Sequence, residues 1–208
     1  MALLSHSLSP ALWAGRAVGL LGGSFNPAHA GHLHISKEAL RRLKLDAVWW
    51  LVSPQNPLKS IKGMTSLDKR LADACATADH PRILVTDIEQ QLNTRYTADT
   101  LAALKNLFPS TRFVWLMGAD NLHSVHRWRR WPEIFETVPV AVLDRPPRGT
   151  GVKSSPALLR FGGSRLPDTQ AALLKDAIPP AWTYLHIPLH DASSTKIRET
   201  RKLRDAPV

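Results

Sequence analysis

The stretch AVGLLGGSFNPAHAGHLHISKEALRRL, residues 17–43, decides the architecture. Residues 17–25 form a nearly continuous apolar run that ends in Gly22-Gly23-Ser24, the pattern of a strand buried on both faces. Residues 31–43 then take up a helical period. Ile35, Ala39 and Leu43 recur at i, i+4, while Lys37, Arg41 and Arg42 fall outward. A buried strand that turns through glycines into an amphipathic helix is the opening unit of a parallel sheet covered by helices.

Outward from this unit the alternation continues. Strands are expected at residues 46–53, 82–88, 112–117, 138–143 and 182–187. Helices are expected at residues 66–78, with Ser66 as cap, and at 98–108 and 194–204. The fold class is α/β, a Rossmann-like doubly wound parallel sheet with helices on both faces and right-handed crossovers, in a single domain. Residues 1–16 read as a lead-in and 17–208 as the domain, with 146–181 a proline-rich, irregular insertion holding one or two helices.

The chain has 208 residues, 44% of them hydrophobic, enough for a large core without staples. Its single cysteine, Cys75, forms no internal disulfide, which suits a reducing, cytoplasmic compartment. In a helical stretch Cys75 is expected to be a small buried hydrophobe. No apolar run approaches a membrane span, and the N-terminus lacks the basic start of a secretion signal. Lys and Arg number 27 against 17 Asp and Glu, a net charge of +10 that suits nucleic acid, acidic lipid or a phosphorylated small molecule.

On such sheets ligands sit at the carboxyl ends of strands, so the residues that follow the strands matter most. After the first strand comes GGSFNPAHAGH, residues 22–32. Its glycines let backbone approach a ligand closely, and the helix start behind it offers unpaired N–H groups and a positive dipole end. This is a phosphate cradle, but neither a Walker loop nor GxGxxG. Its distinctive feature is His29 and His32, spaced i, i+3 around Gly31, which turns both rings the same way. No metal site is expected here, because Cys or carboxylate ligands at zinc spacing are lacking. His34 belongs to another face and reads as structural.

GGSFNPAHAGH resembles the first motif of the bacterial nicotinate-nucleotide adenylyltransferases, within the HxGH nucleotidyltransferase superfamily. Further segments match in order: SPQNPLK at 53–59, RYTADTL at 95–101, MGADNL at 117–122, HRW ending at Trp128, DRP at 144–146 and SSTKIR at 193–198. Together they span almost the whole chain. The chain departs from the pattern at Ala192, where isoleucine is usual, and it ends at Val208, before the helix or tail that members commonly add.

The resemblance implies that ATP and nicotinate mononucleotide are joined to give deamido-NAD and pyrophosphate, a step of NAD biosynthesis. The attacking phosphate is already ionised near neutral pH, so positioning and charge stabilisation replace a general base. By the same resemblance His29, His32, Lys59 and Arg198 act on the ATP phosphates, with Ser194 and Thr195 at the start of the last helix. Gly22 and Gly23 line the site, and the amides of Ser24 and Phe25 hold the mononucleotide phosphate. Asp120 takes a ribose hydroxyl and Arg145 lies beside the nucleotide. Trp128 stacks on the pyridine ring, whose carboxylate meets the main-chain N–H groups of Thr97 and Arg129. Mg²⁺ is expected to bind through the ATP phosphates.

Plainer roles stand beside these. Lys59 and Arg145 also suit a solvated surface, and Asp120 a helix cap. Trp49, Trp50 and Trp115 on strands read as core, and Trp131 as the packing partner of Trp128. Two alternatives remain open on sequence: a sister adenylyltransferase using nicotinamide mononucleotide or phosphopantetheine, and a basic nucleic-acid-binding module. The second is disfavoured because aromatics do not interleave with basic residues as a stacking platform requires.

Overall fold

The computed structural model describes residues 8–54, 64–144 and 155–204, without the side chains of residues 196 and 201–204. The apolar run becomes β1 (Ala17–Gly23) and the amphipathic stretch α2 (Ala30–Arg42), preceded by a one-turn helix α1 (Pro10–Trp13). Then follow β2 (Ala47–Val52), α3 (Leu67–Thr77), β3 (Ile83–Thr86), α4 (Ile88–Gln91), α5 (Thr97–Leu107) and β4 (Arg112–Gly118). Two 3-10 turns, Ala119–His123 and Val125–Arg127, lead to α6 (Trp131–Thr137), β5 (Val140–Leu143), α7 (Pro156–Phe161), β6 (Arg165–Leu166), β7 (Trp182–Leu185) and α8 (Ser194–Arg204).

The strands form one sheet in the order β3-β2-β1-β4-β5-β7-β6, and every pairing is parallel. The chain winds outward from β1 to β3, then crosses back to lay β4 on the other side of β1. That reversal leaves a crevice beyond the carboxyl ends of β1 and β4.

Strands β1, β2 and β5 are buried on both faces, which is why they read as unbroken apolar runs. Successive residues feed opposite layers. Val18, Leu20, Trp49 and Trp115 pack with Phe108, Phe113 and Phe135 on one face. Ala17, Leu21, Val48 and Trp50 pack with Ile35, Ala39 and Leu43 of α2 on the other.

Several expectations are revised. The lead-in joins the core: Leu8 is buried, and the Trp13 ring stands edge-on to Trp49 at 5.1 Å. Within the irregular insertion, β6 adds a parallel edge strand and Asp168–Asp176 winds as a 3-10 run tied to α2 by the Arg42–Asp168 ion pair. A two-residue strand carries no periodic signal, so it was invisible in the sequence. The third strand stops at Thr86 because the Thr86 hydroxyl accepts from Ile88 N at 3.1 Å and turns the chain into α4. Cys75 is exposed, contrary to expectation, because the inward position of α3 falls one residue earlier, on Ala74. Among the described residues no helix is long and apolar enough to cross a membrane.

Gly22, near the end of β1, is a close-approach glycine. A Cβ there would lie 2.5 Å from the buried indole of Trp115. Gly22→Ala is therefore expected to destabilise the fold by about 1–3 kcal/mol, the usual cost of overpacking a core. A shifted urea midpoint with unchanged slope is the expected reading; an unshifted midpoint would show that Trp115 has room to move.

Candidate functional site

Two groups of residues gather at the crevice, and the loop after β1 joins them. The first surrounds the start of α2. His29 is its N-cap, and Gly31 N donates to His29 Nδ1 at 3.1 Å. In return His29 N donates to His32 Nδ1 at 3.2 Å. This is a capping box built from two histidines in place of Ser/Thr and Glu. The i, i+3 spacing therefore has a local cause, and the ring centroids lie 3.9 Å apart.

The cap also sets the chemistry of the rings. Each Nδ1 accepts from a backbone N–H, so it carries no proton, and a neutral ring then bears its hydrogen on Nε2. Gly31 is required between the two rings. A Cβ there would fall 2.9 Å from the His29 ring and 3.0 Å from the Ala192 carbonyl oxygen.

That contact brings in the far end of the chain. Ser194 Oγ donates to the Pro27 carbonyl at 3.0 Å, and Arg198 Nη1 donates to the Asn26 carbonyl at 2.7 Å. Arg198 Nη2 also reaches Thr195 Oγ1 at 3.2 Å. The first turn of α8 is thereby fastened beside the first turn of α2, and both helix N-termini favour negative charge.

The second group lines a cavity of about 310 Å³. Gly22, Gly23, Thr97, Trp128 and Arg129 line it, together with Ser53, Glu89, Tyr96, Trp115 and the cations Arg95 and Arg127. Thr97 is the first residue of α5, where helix geometry leaves the N–H without an intrahelical acceptor. Opposite it, the Trp128–Arg130 turn is held against α5 by two side chains. The Arg129 guanidinium lies 4.8 Å from the Tyr96 ring centroid, and Arg130 Nη1 bonds Asp99 at 2.7 Å. Arg130 itself takes the left-handed conformation that ends this turn.

Between the groups, Phe25 adopts a φ of +44° and is buried, stacked 5.1 Å from Trp50 and tilted against His32 at 4.7 Å. Ser24 turns its carbonyl to Arg70 of α3, at 2.7 Å. Asp120 stands exposed on the 3-10 turn directly after β4, at the same edge of the sheet, but it does not line the cavity. Lys59 and Arg145 lie outside the described residues. Trp131 is not the ring partner of Trp128: it stands edge-on to Phe135 and Phe161, at 6.3 and 5.9 Å, because its helix faces the core. His34 has a structural contact, with its Nε2 2.7 Å from the Pro188 carbonyl.

Glu89, a cavity residue that sequence reasoning missed, is only 6% exposed. Its carboxyl accepts from Thr100 Oγ1 at 3.2 Å. Burial pushes its pKa up, and hydrogen bonds from the hydroxyls of Ser53 and Thr100 oppose that rise. The available signal was its place just past the third strand. Trp115 reads as core in the sequence, yet its indole also forms a cavity wall.

A family model described as cytidylyltransferase-like matches residues 20–200. A Cereibacter sphaeroides protein named "Probable nicotinate-nucleotide adenylyltransferase" is 52% identical over 187 residues, 90% of this chain and 98% of its own length. A protein of the same name from Parvibaculum lavamentivorans is 56% identical over 188 residues, 90% of this chain and 94% of its own. Among solved structures, the Plasmodium falciparum nicotinic acid mononucleotide adenylyltransferase complexed with APC superposes with a TM-score of 0.64. It is 16% identical and covers 88% of this chain and 83% of its own, so that likeness speaks for the fold alone. With the identity of the curated relatives and the near-complete coverage of both chains, this chain belongs to the nicotinate-nucleotide adenylyltransferase family.

Proposed function

We infer that the crevice seats two substrates on one loop and that the chain carries out the reaction of its family. It joins ATP and nicotinate mononucleotide into deamido-NAD, releasing pyrophosphate, as a nucleotidyltransferase of NAD biosynthesis. The observation that carries the residue-level reading is the position of the loop at residues 22–32. It borders the 310 Å³ cavity on one side and holds the histidine cap and α8 on the other.

In this reading a mononucleotide phosphate oxygen attacks the α-phosphorus of ATP in line with the departing pyrophosphate. The Nε2–H groups of His29 and His32 donate to the ATP phosphates, with His32 on the α-phosphate. Arg198, Lys59, and the first turn of α8 at Ser194 and Thr195 offset the triphosphate charge. The amides of Ser24 and Phe25 hold the mononucleotide phosphate, Asp120 a ribose hydroxyl, and Arg145 lies beside the nucleotide. Gly22 and Gly23 let the substrate pass close to the backbone.

Among the described residues no three His, Cys, Asp or Glu side chains gather where they could hold a metal ion. We assign Mg²⁺ to the triphosphate that brings it, where it would offset phosphate charge. The cavity rim carries Arg95, Arg127 and Arg129, which suits an anionic small molecule rather than a polymer tracked along the surface. We place the enzyme in the cytoplasm, free of membrane and nucleic acid.

Pyrophosphate release with ATP and Mg²⁺, comparing acid and amide mononucleotides, tests the whole reading. His32→Ala is expected to fold normally and to lower turnover by about 10²–10³, the usual loss of one transition-state donor. Near-normal turnover would remove His32 from the chemistry. Arg198→Ala is expected to weaken ATP use mainly, with mononucleotide binding measured by calorimetry almost unchanged. Equal losses for both ligands would mean that its bond to the Asn26 carbonyl organises the entire loop instead.

Selectivity for the acid follows from the donors. A carboxylate accepts from the Thr97 and Arg129 amides through two equivalent oxygens, with charge-assisted bonds. A carboxamide turns an NH₂ towards one of those donors and leaves it unpaired. Hydrogen-bonding sites discriminate by up to about 10⁴–10⁵, and partial exposure here leaves at least about 10² in kcat/KM. Replacing the Arg129 side chain should alter the ratio little, whereas Trp128→Ala should weaken both substrates. Comparable kcat/KM for the two mononucleotides would overturn the assignment of the acid.

A further inference from the structure

Arg70, on α3, is 1% exposed, and among the described residues its bonding partners are all backbone carbonyls. Nε donates to Thr65 O at 3.1 Å, Nη1 to Ser24 O at 2.7 Å and Ser53 O at 2.6 Å, and Nη2 to Pro54 O at 2.9 Å. A buried cation normally takes a carboxylate partner, because desolvation is costly. Here converging carbonyl dipoles replace it, and burial lowers the pKa of the guanidinium without neutralising it. Such an expensive group gathers three separate segments: the loop after β1, the end of β2 and the approach to α3.

The bond to Ser24 has a directional consequence. In a trans peptide the C=O and the following N–H point in opposite directions. Turning the Ser24 carbonyl into α3 turns the Phe25 N–H away from α3. That peptide adjoins a residue in a strained conformation, φ +44° at a phenylalanine, which persists only where surroundings over-determine it. Stacking on Trp50 and a tilted contact with His32 hold the Phe25 ring, and the Arg70 fork holds the plane before it. Asn26 strengthens the tie, since its Oδ1 accepts from Thr65 Oγ1 at 2.8 Å and the Thr65 carbonyl returns to Arg70.

We propose that Arg70 is a positioning residue: it rotates the Ser24–Phe25 peptide so that the Phe25 N–H faces the mononucleotide phosphate. It touches no substrate and acts through the peptide plane. This rests on the reading above that the Ser24 and Phe25 amides seat that phosphate. A lysine in the same place keeps the charge but offers a compact ammonium instead of a planar fork, so it cannot span the same set of carbonyls.

The test compares the folded wild-type enzyme with Arg70→Lys, by steady-state kinetics and by ¹⁵N-amide titration. Arg70→Lys is expected to raise the KM for nicotinate mononucleotide about tenfold or more, the scale of one misaligned bond to a charged group. The KM for ATP should stay within about threefold. The Phe25 amide resonance should shift with nicotinate mononucleotide in the wild type and respond only weakly in the variant, while the Gly31 amide still responds to ATP. Equal kinetic losses for both substrates, or a Phe25 response unchanged in the variant, would overturn the role of Arg70 alone. A silent Phe25 amide in the wild type would overturn the phosphate seat and this proposal together, leaving the enzyme's reaction standing. Should Arg70→Lys not accumulate folded, the wild-type Arg70 Nε–H resonance gives the same decision. It should titrate together with Phe25, and independence of the two would overturn the proposal.

Discussion

Four carbonyls at the end of β1 and in the loop after it are claimed from outside. Ser53 N takes Gly23 O, Arg70 takes Ser24 O, Arg198 takes Asn26 O and Ser194 takes Pro27 O. These donors come from β2's end, α3 and α8, separated from the loop by up to 172 residues. Held outward at these four carbonyls, the loop has little freedom left in its peptide planes. The histidine cap completes it from the α2 side. A segment that would otherwise be a flexible connection becomes a fixed display of backbone and imidazole donors, so ligand binding need not spend free energy on ordering it.

This arrangement depends on the sheet order. With β1 central, flanked by β2 and β4, the loop stands over the crevice where the chain reverses. α3 follows β2 and can send Arg70 beneath the loop, while α8 follows the strands on the far side and reaches it from there. Neither contact would be available to a loop after an edge strand.

The sequence was most informative where local and global preferences agree. β1, β2 and α2 were legible because burial on both faces, or along one helical stripe, leaves a strong apolar pattern. β6 was not, having two residues, and α4 was hidden by running on from β3. At the site, motif residues around residues 22–32, 97, 128 and 194–198 fell together in space, whereas their supports did not announce themselves. Arg70 follows Lys69 in an amphipathic helix and reads as surface charge, although Lys69 alone faces solvent, in a pair with Asp73. Glu89 has no period to mark it. Long-range bonds from side chain to backbone leave no pattern in sequence, because the acceptor is common to every residue.

In the proposed reading, peptide groups form the working surface, and this has a consequence for what variation the protein tolerates. A donor carried by the main chain survives almost any replacement of its own side chain; proline is the exception. Selection would therefore grip hardest on positions that shape the loop: the glycine that admits the His29 ring and the Ala192 carbonyl, the aromatic wedge at Phe25 and the guanidinium beneath it. Residues whose amides meet the substrate would drift more freely than residues that never meet it. In lineages of this enzyme, the letters that persist would trace the scaffold's tension rather than the outline of the ligand.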